Sequence, residues 1–315
     1  MTPAATSARI ESRREVIELR GMAASVRRWG AADAPMLVMV HGIRDCAATF
    51  QFVVDHLQGD WQVVAPDWLG HGHSARAQAY WFHDFVADLS ALVDILSPAA
   101  PLPIVGHSLG GNIAGIYAGL RPERVSHLIS LDGFGPLMDA VPVDARALMR
   151  AFLDLPGTRR SRTYPDLETM AARLRQANPR LTGERALFLA EQSSAPAPGG
   201  GRSWLYAPEI RQSLPSLRTM DEWQRIWAAI SAPALWIESS DPRPRAPTSH
   251  PAEMARRAAM MPAVERVRLV DTSHNLHHDA PEQVAALVSR FLAHPVAAPA
   301  TAALKVKVKV KVKGG

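Results

Sequence analysis

The amino-acid sequence predicts an α/β domain with a mostly parallel central sheet flanked by helices and a helical segment inserted between two of its strands. Three observations lead there. Short apolar, β-branched runs alternate with longer amphipathic stretches along most of the chain. A Gly-X-Ser-X-Gly pentapeptide at residues 106–110 joins one of those runs to the helical stretch GGNIAGIYAGL. The strand spacing then breaks once, between residues 135 and 231.

In chain order, residues 16–29 carry strand signal on both sides of Gly21, and further strands are expected at 36–40, 61–65, 102–106, 125–131, 234–239 and 264–270. Helical periodicity fills 81–96, 109–120, 251–261 and 281–293. Within 135–231 the strand signal vanishes, and the segment contains a Pro/Gly-rich passage, SSAPAPGGGRS. The organisation expected is a flexible N-terminus at 1–15, a core formed by 16–134 and 232–294, a helical cap at 135–231, and a flexible linker with a Lys/Val tail at 295–315. A chain of 315 residues with 47% hydrophobic content is at the upper end of what one core supports, which suits a single domain carrying an insertion. No fixed-period repeat is visible.

The formal charge of +5 has a local origin. All lysines lie in the tail, at Lys305, Lys307, Lys309, Lys311 and Lys313, and without them the 35 basic residues fall to 30, matching the 30 acidic ones. The body therefore offers no basic surface for nucleic acid, and no nucleic-acid partner is expected. The strict Lys/Val alternation has strand period, but it follows the Ala/Pro-rich HPVAAPATAALK and reads as disordered or appended. Adhesion to anionic partners and strand-mediated self-association are its functional alternatives. The N-terminus shows arginines but no apolar run or small-residue cleavage site, and no stretch reaches membrane-span length. The lone cysteine, Cys46, rules out an internal disulfide framework. A cytoplasmic location is the expectation.

Ser108 is the candidate nucleophile. A serine on a sharp strand-to-helix turn is held in a strained backbone conformation, and the flanking Gly106 and Gly110 let neighbouring segments approach closely. The helix N-terminus beneath it favours developing negative charge. Serine is a weak nucleophile at neutral pH, so a base and an orienting carboxylate are needed.

The motif order HGIRD after MLVMV, DWLGHGHS after WQVVAP, then GHSLGG, resembles that of the α/β-hydrolases. More narrowly, ATFQFVVDHL, RPERVSHLISLDGFG and SHNLHHDAPEQV resemble bacterial hydrolases akin to the serine hydrolase-like proteins. The resemblance runs from about residue 16 to 294 and implies the α/β-hydrolase fold with a Ser, acid, His order along the chain. It implies His274 as the catalytic base, with His277 and His278 as rivals that read as polar residues near a helix start. It implies Asp241, at the end of ALWIESS, as the acid; Asp132, ending LISL, and Glu238 compete for that role. Where the family's turn ahead of the acid has a glycine, Ser239 and Ser240 stand here. The expected oxyanion donors are the backbone N–H groups of Leu109 and, by resemblance, Ile43.

His41, at a strand end, reads as a hydrogen-bonded structural residue, and Arg44 and Asp45 read as substrate contacts or a mutual ion pair. The two histidines of the 67–74 segment fit the family's tight loop, so no metal is expected. Gly110-Gly111 lacks the lysine of a phosphate-binding loop, and no cofactor is expected. Apolar bulk in the cap, including Met138, Met149 and Phe152, reads mostly as packing; Trp204 and Tyr206 are the tentative substrate contacts and candidates for a gate. The activity implied is hydrolysis of a small hydrophobic acyl or aromatic ester through an acyl-enzyme. C-C bond, lactone or amide cleavage and a non-catalytic small-molecule-binding homologue are the alternatives. Oligomeric state is left open. Deleting residues from Lys305 onward is expected to lower the isoelectric point and leave esterase activity unchanged; a large loss of activity in the truncated chain would make the tail part of the enzyme.

Overall fold

Residues 9–77, 79–136, 161–212, 219–240 and 247–293 are described by a computed structural model of the chain. The first two strands, β1 (Ser12–Leu19) and β2 (Met22–Trp29), form an antiparallel hairpin in register from Ser12 opposite Trp29 to Leu19 opposite Met22. Its two loop residues, Arg20 and Gly21, have φ of 51° and 79°, the doubly left-handed turn that matches the twist of paired strands. Strand β1 begins earlier than expected: residues 12–15, assigned to a flexible N-terminus, pair with β2. Their charged side chains carry no apolar alternation because this strand lies at the sheet edge.

The sheet continues through β3 (Met36–Val40), β4 (Gln62–Pro66), β5 (Leu102–His107) and β6 (Val125–Leu131). Three short strands follow, β7 (Thr163–Tyr164), β8 (Ser194–Pro196) and β9 (Arg202–Trp204), and then β10 (Ala234–Glu238) and β11 (Val264–Arg268). The eight-stranded order is β1-β2-β4-β3-β5-β6-β10-β11, with β2 antiparallel to β4 and every later pair parallel. This is the α/β-hydrolase fold that the motif order implied.

Buried parallel strands face apolar surroundings on both sides, which explains runs such as MLVMV. Along β3, Val38 and Val40 enter one apolar cluster while Leu37 and Met39 enter another. The same split divides Ala234 and Trp236 from Leu235 and Ile237 on β10. The helices are α1 (Gln51–Val54), α2 (Phe82–Leu96), α3 (Leu109–Leu120), α4 (Leu167–Ala177), α5 (Gly183–Gln192), α6 (Met220–Trp227), α7 (Pro251–Ala258), α8 (Leu276–Asp279) and α9 (Pro281–Leu292). One face of the sheet is covered by α2, α3, α6 and α7, through Leu89, Ile113, Trp223, Trp227 and Met254. The other is covered by α1, α8 and α9, through Val53, Leu276, Val284 and Val288. Each fully buried side chain of this size contributes about 1.5–3 kcal/mol over its exposed state.

The stretch between β6 and β10 is not wholly helical. Its β8 and β9 form an antiparallel hairpin, joined by β7 into a three-stranded sheet. The passage SSAPAPGGGRS supplies the turn: Gly199, Gly200 and Gly201 all have positive φ, and the Ala197 N–H donates to Gly201 O at 2.9 Å. Strands of two or three residues are too short to leave a period in the sequence. The helices here are conventionally capped, α4 by Asp166, α5 by Thr182, and α6 by a reciprocal Thr219 and Glu222 box. Met138, Met149, Phe152, Asp241 and the Lys/Val tail lie outside the described residues. Among the described residues, no helix is long and apolar enough to cross a membrane.

A tight constraint of the fold lies where α3 leaves β5. A Cβ built on Gly110 would stand 2.1 Å from the Val40 carbonyl oxygen, and one on Gly106 would stand 2.5 Å from the Gly110 carbonyl carbon and oxygen. Gly110→Ala is expected to destabilise the protein by about 1–3 kcal/mol through overpacking, read as a lower urea midpoint; an unchanged midpoint would mean that the backbone has room to move.

Candidate active site

Four connections converge on the C-terminal edge of the parallel strands. Ser108 follows β5 and is the N-cap of α3, with φ 51° and ψ −115°. Its N–H donates to Leu131 O at 2.9 Å, so the turn is tied to the end of β6. Asp132 is the next residue after that strand and also has positive φ, 52°. Arg44, in the loop after β3, has φ 62°. Three of the five described non-glycine residues with positive φ thus lie in loops around one point, the backbone strain that concentrates at functional sites.

The His274 ring links the other two groups. Its Nε2 lies 2.8 Å from Ser108 Oγ, and its Nδ1 lies 2.8 Å from Asp132 Oδ2. The carboxylate accepts only, so the network assigns the proton to Nδ1 and leaves Nε2 to accept the serine hydroxyl. Asp132 is almost wholly buried, and Ser239 completes its hydrogen bonding: the Ser239 N–H donates to Oδ1 at 3.0 Å and its hydroxyl to Oδ2 at 2.8 Å.

Among the described residues the carboxylate on His274 is that of Asp132; the favoured Asp241 lies outside them. Glu238, the other competitor, is buried at the end of β10 and paired with Arg266 at 2.5 Å. The Ser239 and Ser240 that replace the family's glycine carry their own explanation. Ser239 holds the Asp132 carboxylate from the neighbouring strand, and Ser240 exchanges hydrogen bonds with Thr272 ahead of His274. Sequence reasoning missed both roles, although that departure from the family pattern was their signal. It also missed Arg257, buried on α7, whose guanidinium donates to Phe134 O at 2.7 Å and to Pro136 O at 2.6 Å. Those carbonyls lie just past Asp132, so Arg257 anchors the start of the inserted segment.

The loop carrying Ile43 meets the nucleophile through Gly42, where an added Cβ would lie 3.2 Å from Ser108 Cβ. The backbone N–H groups of Ile43 and Leu109 have no acceptor among the described residues. Arg44 and Asp45 form no ion pair with each other; Asp45 Oδ1 instead accepts the Cys46 N–H at 2.8 Å. The ring of Trp204 packs edge-on against Tyr164, with centroids 5.8 Å apart, and Tyr206 packs against the main core. Trp204 thus packs within the inserted segment and Tyr206 packs onto the main core.

Three further histidines, His41, His277 and His278, are held by hydrogen bonds. His41 donates from Nδ1 to Gly42 O at 2.7 Å and accepts the Trp68 N–H on Nε2 at 3.1 Å. Asp67 anchors the 67–74 loop by accepting the N–H groups of Ala47 at 2.7 Å and His73 at 3.0 Å. His277 and His278 lie in α8, ahead of the helix at Pro281, and both are buried with Nε2 on the Thr49 hydroxyl, at 3.0 and 2.6 Å.

Burial holds His41 down at about 4 and His71 at about 3, against 6.5 for a free imidazole. Both are neutral in the folded protein, whereas the unfolded chain protonates them below about 6.5. Their stabilisation is complete above that pH and declines as pH falls towards 4. Urea unfolding from pH 7 to 4 is expected to show a loss of about 3 kcal/mol or more from these two sites; a flat profile would contradict their neutral burial.

Comparison with known proteins places this geometry in a family. Residues 35–281 match the family described as alpha/beta hydrolase fold. The chain is 28% identical over 289 residues to a serine hydrolase-like protein of Danio rerio, covering 87% of this chain and 85% of the relative. It is 22% identical over 277 residues to the 2-(acetamidomethylene)succinate hydrolase of Mesorhizobium japonicum, covering 88% and 94%. The solved thioesterase domain from the curacin biosynthetic pathway superposes with a TM-score of 0.79 at 28% identity, over 88% of this chain and 99% of that domain. With most of its length matched, the chain belongs to the α/β-hydrolase fold family.

Proposed function

We propose that the protein is a serine hydrolase that cleaves carboxylic esters with a small hydrophobic acyl or aromatic group, using Ser108, His274 and Asp132. The observation that carries this reading is the unbroken chain Ser108 Oγ to His274 Nε2 and His274 Nδ1 to Asp132 Oδ2, each 2.8 Å. Ser108 Oγ attacks the ester carbonyl carbon while its proton passes to His274 Nε2. Asp132 holds the imidazole in the tautomer that accepts that proton and stabilises the imidazolium that results. The tetrahedral oxyanion is received by the Ile43 and Leu109 N–H groups, which are fixed in place before reaction begins. His274 then protonates the departing alkoxide, leaving Ser108 acylated. Water attacks the acyl-enzyme with its proton taken by His274, and the acid is released with Ser108 restored.

A hydrophobic acyl group is favoured by Ile43, an apolar side chain 38% exposed beside the proposed oxyanion donor. The segment between β6 and β10 begins directly after Asp132, so its residues are suited to act as a lid over the acyl group. Trp204 and Tyr206 belong to that segment and are kept as substrate contacts only in this sense. A cytoplasmic location and a small-molecule ester partner complete the proposal.

Two experiments test it. Turnover of p-nitrophenyl esters of graded acyl length should be measurable and fall as the acyl chain outgrows the site. Absence of turnover across the panel would remove the ester assignment. Asp132→Asn is expected to lower kcat by about 10,000-fold, because the amide favours the wrong imidazole tautomer, while Asp241→Asn remains near the unsubstituted enzyme. If Asp241→Asn alone collapses kcat, the acid has been misassigned.

A further inference from the structure

A second set of chemically capable groups lies directly behind the nucleophile. Asp45, His107 and His277 each present a ligand atom within 4.8 Å of the other two. They come from three of the four segments that converge on the site: Asp45 stands two residues after Ile43, His107 directly precedes Ser108, and His277 follows His274 by three positions. The His107 and His277 rings are fully buried and lie 4.2 Å apart between centroids.

The hydrogen bonds around this cluster determine where its lone pairs are. His107 Nε2 is 2.9 Å from the backbone carbonyl of His274. A carbonyl only accepts, so Nε2 carries the proton and Nδ1 is a bare lone pair. The Thr49 hydroxyl lies 3.0 Å from His277 Nε2 and 2.6 Å from His278 Nε2, so the outer ring nitrogen of His277 is engaged as well. When that hydroxyl oxygen accepts N–H from both rings, His277 Nδ1 is also a lone pair. Neither His107 Nδ1 nor His277 Nδ1 has a partner among the described residues, and both atoms are inaccessible to solvent.

Two buried ring nitrogens without partners in a cluster with a carboxylate form a costly arrangement for a protein interior. We infer that Asp45, His107 and His277 form a binding site for one divalent transition-metal ion of the zinc class, adjoining the nucleophile. Two nitrogens and a carboxylate oxygen match the ligand set of three-ligand zinc sites, which leave a fourth position open. Ligand atoms about 2.0–2.1 Å from a tetrahedral ion stand about 3.4 Å from one another. The three ligand atoms lie within 4.8 Å of one another, so closing on an ion draws each pair together by at most about 1.4 Å. The outer ring nitrogens are already held by a carbonyl and a hydroxyl, the supporting contacts that orient metal-binding histidines. A bound ion would tie the Ile43 loop, the Ser108 turn and the His274 loop together.

Co2+ titration of the chelator-treated full chain reads this directly, because cobalt substitutes for zinc and its visible absorption reports coordination by nitrogen and oxygen. One Co2+ per chain is expected, displaced by Zn2+ and accompanied by a rise in Tm. Asp45→Asn and His277→Gln should each weaken binding beyond the roughly 100-fold seen for changes to supporting contacts. His274→Ala, which keeps the backbone carbonyl that His107 uses, should bind Co2+ as before. Circular dichroism verifies the fold of each variant. The site is disproved if the unsubstituted, folded protein takes up no Co2+. Uptake that survives Asp45→Asn and His277→Gln but is lost in His274→Ala would place the ion on the triad residues and likewise overturn the inference.

Discussion

The close approach of α3 to the sheet edge is the constraint on which the rest of the site depends. Gly110 lies against the Val40 carbonyl and Gly106 against Gly110, at separations that no side chain tolerates. With the helix seated that deeply, the chain reverses within one residue, and Ser108 takes φ 51°. The same geometry brings Gly42 against Ser108. Strain at Ser108 is held by the Ser108 N–H bond to Leu131 and by the buried apolar faces of α3 and β5. Stability in the core is thereby converted into a fixed position for one hydroxyl.

A second layer of order comes from contacts between neighbouring connections. Asp132 leaves β6, yet the groups that hold its carboxylate belong to Ser239, after β10, and to His274, after β11. Arg257 on α7 secures the chain just beyond Asp132 through the Phe134 and Pro136 carbonyls. The proposed acid is positioned by three later segments of sequence, and each contact satisfies a group that would otherwise be buried without a partner.

That dependence explains what could be read in advance. The strands of the sheet, the helices that cover them and the elbow at Ser108 are legible because periodicity, β-branching and the glycine spacing act locally. The hairpin made by SSAPAPGGGRS and the first residues of β1 were not legible, since strands of two or three residues and charged edge strands leave no alternation. His274 was placed by the motif order and meets Ser108 as that order implied. Its carboxylate was not, because Asp132 and Asp241 both end strands expected in the sheet, and local sequence does not say which one reaches the imidazole. The choice rests on distances across β6 and β10, and Ser239 was the one local mark of it. The buried pair His107 and His277 was hidden for the same reason: the residues are distant in sequence, and only the fold brings their rings to 4.2 Å between centroids.

The central claim is that Ser108 is an activated nucleophile. Incubation with a fluorophosphonate, followed by intact mass measurement and peptide mapping, tests it without knowledge of the substrate. A single adduct on Ser108, absent from Ser108→Ala and strongly slowed in His274→Ala, is the predicted result. A folded protein that gains no adduct, or gains it on a different residue, would contradict the account.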